Sequence, residues 1–200
     1  MMARRYDPER RERIIDAAIR IVEMKGIGAL SHRTVAAEAG VPLGSTTYHF
    51  AGLDDLLVAS LQQVCSGPRS GMKDWEGALS AVAPSVGHGV REGTAEPGKG
   101  RALADVLTGL LEEYARGASG RIRLEYELYL AALRRPALQP VAAAWLDEMV
   151  EVIGRHTAEV ATARALVALI DGLLLQLLLT DRPFDREAVR SALARVTGET

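Results

Sequence analysis

Residues 30–57 read LSHRTVAAEAGVPLGSTTYHFAGLDDLL, and the expected structure of the first quarter of the chain follows from them. Ser31 is a residue type that caps helices, and Gly40 can end the helix that follows because glycine accepts the left-handed conformation. A tight connection at Pro42 then leads into a second short helical segment, residues 43–50. Two short helices joined in this way predict a helix-turn-helix.

Helical patterns continue on both sides of this stretch. Pro8 lies in a typical helix start, apolar residues follow at helical spacing, and Gly26 ends the pattern. No alternating pattern typical of strands occurs in the sequence. We therefore predict an all-α chain with a three-helix N-terminal domain, residues 1–52, and a larger helical domain, residues 53–200. Its later helices are expected at about residues 53–64, 74–91, 101–117, 119–134, 138–160, 163–180 and 185–197.

The composition also favours helices. Aromatic residues make up only 4% of the chain, and alanine, leucine and valine supply most of its 48% apolar residues. The formal net charge is −2, but the first fifty residues are positive, with 8 Lys and Arg against 6 Asp and Glu. A positive N-terminal segment on an acidic body is typical of a nucleic-acid-binding domain, although a solvated surface helix would have the same charge.

The sequence excludes a transmembrane helix, on its length, and a disulfide-rich protein. The longest apolar stretch, residues 165–179, contains Asp171 and Gln176 and is shorter than the roughly 20 residues that span a bilayer. The N-terminal residues lack an apolar signal region, so we expect the chain in the cytoplasm. A single cysteine, Cys65, excludes a disulfide framework and a multi-cysteine zinc site.

Motifs of catalysis are incomplete. Residues 93–100, GTAEPGKG, nearly match a phosphate-binding P-loop, but Gly100 replaces the hydroxyl residue that would hold magnesium. The four histidines lack metal-binding spacing, and no nucleophile elbow of the form GxSxG occurs. We therefore expect no enzyme activity, no metal and no cofactor.

The second short helix carries the functional prediction. If Phe50 points inward, Thr46 one turn earlier does too, and Ser45, Tyr48 and His49 then share the outer face. Their hydroxyl and imidazole groups can hydrogen-bond bases and phosphates in a major groove. An ordinary helical hairpin inside a bundle, with its aromatic residues in the core, is the alternative that geometry alone leaves open.

The same residues resemble the DNA-binding signature of the TetR family of bacterial transcriptional regulators. The resemblance is specific over about residues 8–60, and over the rest of the chain it rests on helix count and order. The matching positions are Val35-Ala36, Ala39-Gly40-Val41, Gly44, Tyr48-His49-Phe50 and Leu56.

The resemblance implies DNA contacts at the start of the first short helix and along the second. These positions are His32, Arg33, Pro42, Leu43, Gly44, Ser45, Thr47, Tyr48 and His49. Three residues depart from the family pattern: Leu53 replaces a lysine, Leu43 a basic or polar residue, and Thr46 a buried leucine. We expect a basic N-terminal arm near the minor groove to compensate, formed by Arg4, Arg5 and Arg10.

The resemblance also implies a homodimer on a near-palindromic operator and a pocket for a small-molecule effector in the helical body. Apolar positions on the last two long helices are the predicted dimer interface: Val141, Trp145, Met149, Val152, Leu166, Ile170, Leu174 and Leu177. Polar and aromatic groups within apolar helices are the predicted effector pocket: Trp75, His88, Tyr114, Glu125, Tyr126, Tyr129, Asp171 and Gln176.

The sequence therefore predicts a regulator, expected to be a repressor that an effector releases from DNA. Two other classes remain as alternatives. A small all-α enzyme would need convergent titratable groups, and a helical adaptor could keep the hairpin without reading DNA.

Overall fold

A computed structural model describes residues 9–66, 71–80, 99–117, 119–180 and 182–198. These residues form helices and connecting turns without a strand, so the all-α prediction is confirmed. The predictions for Arg4, Arg5 and His88, and most of the P-loop-like stretch, lie outside the described residues. The helices are α1 (Arg10–Lys25), α2 (His32–Ala39), α3 (Leu43–His49), α4 (Leu53–Ser66), α5 (Gly71–Ser80), α6 (Lys99–Gly117), α7 (Ser119–Ala131), α8 (Gln139–Gly154), α9 (Val160–Thr180) and α10 (Arg186–Thr197).

The chain divides into two compact units. Among the described residues, the first comprises residues 9–66 and 120–142, and the second comprises residues 71–80, 99–117, 119, 143–180 and 182–198. Helices α4 and α7 therefore group with α1 to α3. The predicted functional boundary after residue 52 stays a prediction, but the packing boundary lies elsewhere because α4 contributes buried leucines to the same core as α1.

In the first unit, α1 packs against α2 and α4, and α2 packs against α3. The core side chains come from each of these helices and include Ile14, Val35 and Leu56, all fully buried. Phe50 follows α3 and is also buried, with the guanidinium of Arg11 5.2 Å from its ring centre. This arrangement anchors the short α3 at its C-terminal end.

In the second unit, α6 packs against α5, α9 and α10. Leu107 and Leu111 of α6 and Leu193 of α10 are fully buried. Two ion pairs join α10 to α6 at the surface, between Arg186 and Glu112 and between Arg190 and Asp105.

Helix α9 is longer than the sequence predicted. It runs from Val160 to Thr180, which is long and apolar enough to cross a membrane, so the exclusion on length was wrong. The predicted stretch began only at residue 165. One face of α9 is buried within the second unit, as expected for the core helix of a helical bundle, and includes Ala163, Leu166, Val167, Ile170 and Leu174.

Candidate functional site

Local hydrogen bonds fix the first helix of the helix-turn-helix. The Ser31 side chain accepts a hydrogen bond from the backbone N–H of Thr34 at 3.1 Å, and the Ser31 backbone N–H donates to the Thr34 hydroxyl at 2.9 Å. This reciprocal capping box satisfies two donors at the start of α2. Gly40 ends the helix with φ +63°, a conformation that costs other residues about 1 kcal/mol or more. The predicted cap and stop are confirmed.

The exposed residues of α3 occur in two pairs along the helix, and these pairs form its outer face. Leu43, Gly44, Thr47 and Tyr48 are exposed, with Tyr48 84% and Leu43 47% accessible. Thr46 is fully buried, as predicted, and its hydroxyl donates to the carbonyl of Leu43 at 2.7 Å.

The predicted position of Ser45 on the outer face is wrong. Ser45 is only 4% exposed, and His49 one turn later is half-buried. Because α3 contacts both α2 and α1, its inward side is broader than the single row that includes Thr46 and Phe50. The outer face is therefore centred between Thr47 and Tyr48.

The other predicted DNA contacts are accessible to different degrees. Arg33 and Pro42 are exposed, while His32 is half-buried and its Nδ1 has no hydrogen-bond partner among the described residues. The rings of Tyr48 and His49 meet edge to face with centres 5.1 Å apart. Arg10, proposed for the basic arm, is the first residue of α1 and is half-buried.

Three predicted effector residues lie together on α7, in the first unit. The rings of Tyr126 and Tyr129 meet edge to face at 6.2 Å, and Glu125 accepts a hydrogen bond from Nε of Arg121 at 3.0 Å. Burial raises the pKa of Glu125 to about 8 despite this partner. Arg121 also has a buried Nη2 that no described group binds. Polar groups of this kind among buried apolar side chains such as Ile122 and Leu124 can orient a ligand.

The remaining effector candidates belong to the second unit. Trp75 is buried, Tyr114 and Asp171 are half-buried, and Gln176 is exposed. The expectation that all eight candidates line one pocket stays a prediction.

A further carboxylate on α7 was missed by the sequence analysis. Glu127 accepts a hydrogen bond from the backbone N–H of Ile27 at 2.5 Å. Gly26 makes this approach possible, because a Cβ at that position would lie 3.1 Å from the Glu127 Oε1, and its φ of +79° also suits glycine. An ion pair between Arg135 and Asp54 joins the turn after α7 to the start of α4. Helix α7 is thus tied to the α1–α4 region of its own unit.

The predicted dimer interface is only partly accessible. Five of the eight residues are buried within the protomer, and Val141, Trp145 and Leu177 are half-exposed. The apolar spacing identified buried faces correctly but could not show that the chain's own core covers them. The five buried residues are Met149, Val152, Leu166, Ile170 and Leu174.

Known proteins resemble this chain over nearly all of its length. Residues 14–59 match the family model for bacterial regulatory proteins of the tetR family, and residues 99–199 match the model for the tetracyclin repressor-like C-terminal domain. A relative, the HTH-type transcriptional regulator BetI of Escherichia coli O157:H7, is 26% identical over 190 residues, which cover 91% of this chain and 89% of that protein.

Solved structures show the same architecture. The multidrug binding protein EbrR complexed with ethidium is 50% identical, with a TM-score of 0.75 over 94% of this chain and 99% of that chain. Its complexes with proflavin and malachite green are 48% and 50% identical. A TetR family member from Streptomyces coelicolor A3 is 50% identical, with a TM-score of 0.74 over 95% and 99% of the two chains.

Regulators of this family are soluble proteins that bind DNA operators, form dimers and bind small molecules, and the family is not one of enzymes. Both parts of the chain match its models, and α2 and α3 have the geometry of its DNA-binding motif. The chain therefore belongs to the TetR family and is a DNA-binding transcriptional regulator.

Proposed function

We propose that this protein is a cytoplasmic repressor that binds a near-palindromic operator as a homodimer, catalyses no reaction, and leaves the DNA when it binds an aromatic cation. The observation that carries the effector class is the buried carboxyl of Glu125 on α7, the helix that also carries the packed rings of Tyr126 and Tyr129. DNA contact is assigned to the outer face of α3 and the exposed Arg33.

The dimer proposal rests on the side of α9 that the protomer leaves uncovered. Ala165, Ala168, Gln176 and Leu179 are exposed and follow one another at helical spacing, with the half-exposed Gly172 between them. Small residues let two helices approach closely, and apart from Gln176 the stripe is an exposed apolar surface, which is unfavourable in water. This stripe replaces Leu166, Ile170 and Leu174 as the proposed contact surface of α9.

Substitution of Ala168 tests the dimer. Ala168→Glu places a charge on an exposed helical position, so the protomer should fold, but the charge would be buried in the dimer. We expect sedimentation velocity to show a dimer for the parent protein and a monomer for the variant. Ala158→Glu, at an exposed position outside α9, is the control and should remain a dimer. A dimeric Ala168→Glu would contradict this interface.

An aromatic cation suits the α7 site for two reasons. The half-buried Tyr129, which packs edge to face with the buried Tyr126, is an aromatic ring on which a planar ligand could stack, and a ligand cation would favour the ionised form of Glu125. EbrR, which is similar over most of this chain, is described in complex with ethidium, proflavin and malachite green, all of them aromatic cations. Because Glu125 must lose its proton to pair with a cation, affinity should rise as the pH increases towards 8.

The route from effector to DNA is proposed to run along α7. The same helix carries Glu125 and, two residues later, Glu127, whose carboxylate is bonded to the backbone just after α1. A ligand that shifts or rotates α7 would therefore pull on the region that positions the helix-turn-helix. The ligand needs a differential affinity for the two arrangements to shift the population.

Titration with malachite green tests the effector class. Binding is measured first without DNA, by quenching of tryptophan fluorescence, at pH 6.5 and pH 8, with ethidium in place of malachite green because its quaternary charge is the same at both pH values. Release from a labelled DNA fragment flanking the coding region is then followed by fluorescence anisotropy. We expect tighter binding at the higher pH and release of the DNA.

Glu125→Gln is the matched variant in both assays. It keeps the size of the side chain but cannot become an anion, so we expect weaker dye binding, no pH dependence and retained operator binding. Direct action of the dye on the DNA would release both proteins equally. Equal dye affinity for both proteins would contradict the role of Glu125.

A further inference from the structure

Helix α3, the second helix of the helix-turn-helix and therefore its recognition helix, lacks the side chains that most often bind base edges. Its sequence, LGSTTYH, contains none of the four residue types that form paired hydrogen bonds with guanine or adenine: arginine, lysine, asparagine and glutamine. The exposed face consists of Leu43, Gly44, Thr47 and Tyr48. Direct readout by α3 must therefore rely on something other than bidentate hydrogen bonding.

Hydroxyl groups on α3 are largely engaged within the helix. Thr46 is buried and donates to the carbonyl of Leu43, and the Thr47 hydroxyl donates to the carbonyl of Gly44 at 3.4 Å. Ser45 is buried. The exposed face consequently offers mainly apolar surface, with the Tyr48 hydroxyl as its most accessible polar group.

Leu43 is the large apolar side chain best placed to meet bases. It is the first residue of α3, and the N-terminal residues of a recognition helix are those that contact base edges. Its side chain is 47% exposed, and Gly44 beside it has no side chain that could shield it. Tyr48 lies in the last turn, where its hydroxyl suits a phosphate.

Thymine is the one base of DNA that presents an apolar group, its C5-methyl, in the major groove. We propose that Leu43 packs against the methyl group of a thymine in each operator half-site and thereby specifies an A·T pair at that position. This inference rests on DNA binding by α3 and adds the chemistry by which it selects a base.

Uracil substitution isolates this contact, because replacing thymine by uracil removes only the methyl group. An operator is first selected from a random DNA library with the parent protein. Each thymine is then replaced by uracil, in one half-site and in both, and the dissociation constant is measured by fluorescence anisotropy at fixed salt. At one position we expect a loss of about fourfold for one half-site and about 15-fold for both, as for burial of one methyl group.

Variants of Leu43 assign the effect to this residue. In Leu43→Ala the operator affinity should fall and the ratio between thymine and uracil operators should approach one. Leu43→Met keeps an apolar side chain of similar size and should retain most of the ratio. Thermal melting followed by circular dichroism checks the fold of each variant.

Several results would overturn the proposal. One is a selected operator in which no thymine methyl group affects binding. Another is a Leu43→Ala variant that loses as much affinity on uracil substitution as the parent protein does. Thr47→Ser removes the other exposed methyl group on α3, so loss of the penalty in that variant alone would reassign the contact. Failure to bind any selected DNA would instead contradict DNA binding itself, and is thereby distinguishable.

Discussion

The helix-turn-helix and helix α7 belong to the same compact unit, but their polar groups are satisfied in different ways. In α2 and α3 the side-chain hydrogen bonds reach partners no more than five residues away, as between Ser31 and Thr34, apart from an exposed ion pair between Glu38 of α2 and Arg20 of α1 at 2.9 Å. On α7, Glu127 binds a backbone group 100 residues earlier in the chain, and Glu125 is buried beside Arg121.

This difference distinguishes the helix-turn-helix, which we expect to keep its shape, from α7, which we expect to respond to a ligand. Local hydrogen bonds define the caps of α2, and packing against α1 holds both short helices in place. The Glu127 carboxylate depends on a tertiary contact and the Glu125 carboxyl on its burial, so we expect a ligand or a change of pH to act on α7. Each prediction below tests one side of this contrast.

The largest expected effect concerns Glu125 and depends on pH. Its pKa is raised from 4.5 to about 8 in the folded protein, so the folded state keeps a proton that the unfolded state loses. The free energy of unfolding should therefore fall as the pH rises from about 4.5 to about 8. Glu125→Gln cannot ionise and should lack this fall. We expect nearly equal stabilities at pH 5 and an advantage of about 4 kcal/mol for the variant at pH 9.

Urea unfolding at fixed protein concentration, at pH 5, 7 and 9, measures this effect. Glu113→Gln is the control, because Glu113 is exposed on α6, and its stability relative to the parent should vary little between these pH values. Parallel stability curves for Glu125→Gln and the parent protein would show that Glu125 ionises without penalty.

The sequence determined the helix-turn-helix closely because its signals are local. A capping serine, a left-handed glycine and a proline lie within twelve residues and act directly on the backbone. The prediction for Ser45 was wrong because tertiary packing, which the local pattern does not show, decides which side of α3 is buried. Helix α3 touches two neighbouring helices, so its buried side is broader than the spacing of Thr46 and Phe50 alone suggests.

In the body, helical spacing predicted which faces are buried but not which surface covers them. Leu166, Ile170 and Leu174 were assigned to a partner subunit and instead pack within their own unit. The contact between Glu127 and Ile27 had no signal in the sequence, since an acidic residue on a helix is ordinarily solvated. The sequence pattern identified only Gly26, as the end of the first helix. Its conformation explains both the end of α1 and the close approach of the Glu127 carboxylate.

An intermediate effect is expected from Glu127. Removal of its carboxylate in Glu127→Ala leaves the Ile27 N–H without that acceptor, which should lower the free energy of unfolding by about 2 kcal/mol. Operator affinity should also fall, and the dye should release the DNA less effectively because the link from α7 is lost. Glu127→Gln keeps an oxygen acceptor and should therefore retain more of the stability and more of the operator affinity than Glu127→Ala.

Chemical unfolding and anisotropy titrations with and without malachite green separate the two roles of Glu127. The ratio of dye affinities measured with and without DNA reports the coupling between the sites. If Glu127→Ala is less stable but keeps the parent ratio, Glu127 only supports the fold and the signal takes another path.

The smallest effect compares two N-terminal helix caps, one a serine hydroxyl and the other an aspartate carboxylate. Ser31 caps α2 in the first unit, and the Asp185 carboxylate caps α10 in the second by accepting from the Ala188 N–H at 3.0 Å. Replacing either residue by alanine should lower the free energy of unfolding by about 1 kcal/mol. Operator affinity should fall in Ser31→Ala, since α2 supports α3, and remain unchanged in Asp185→Ala. The stability of each variant is measured by urea unfolding. If both variants lose the same stability and the same operator affinity, general stability, rather than the local geometry of the helix-turn-helix, limits DNA binding.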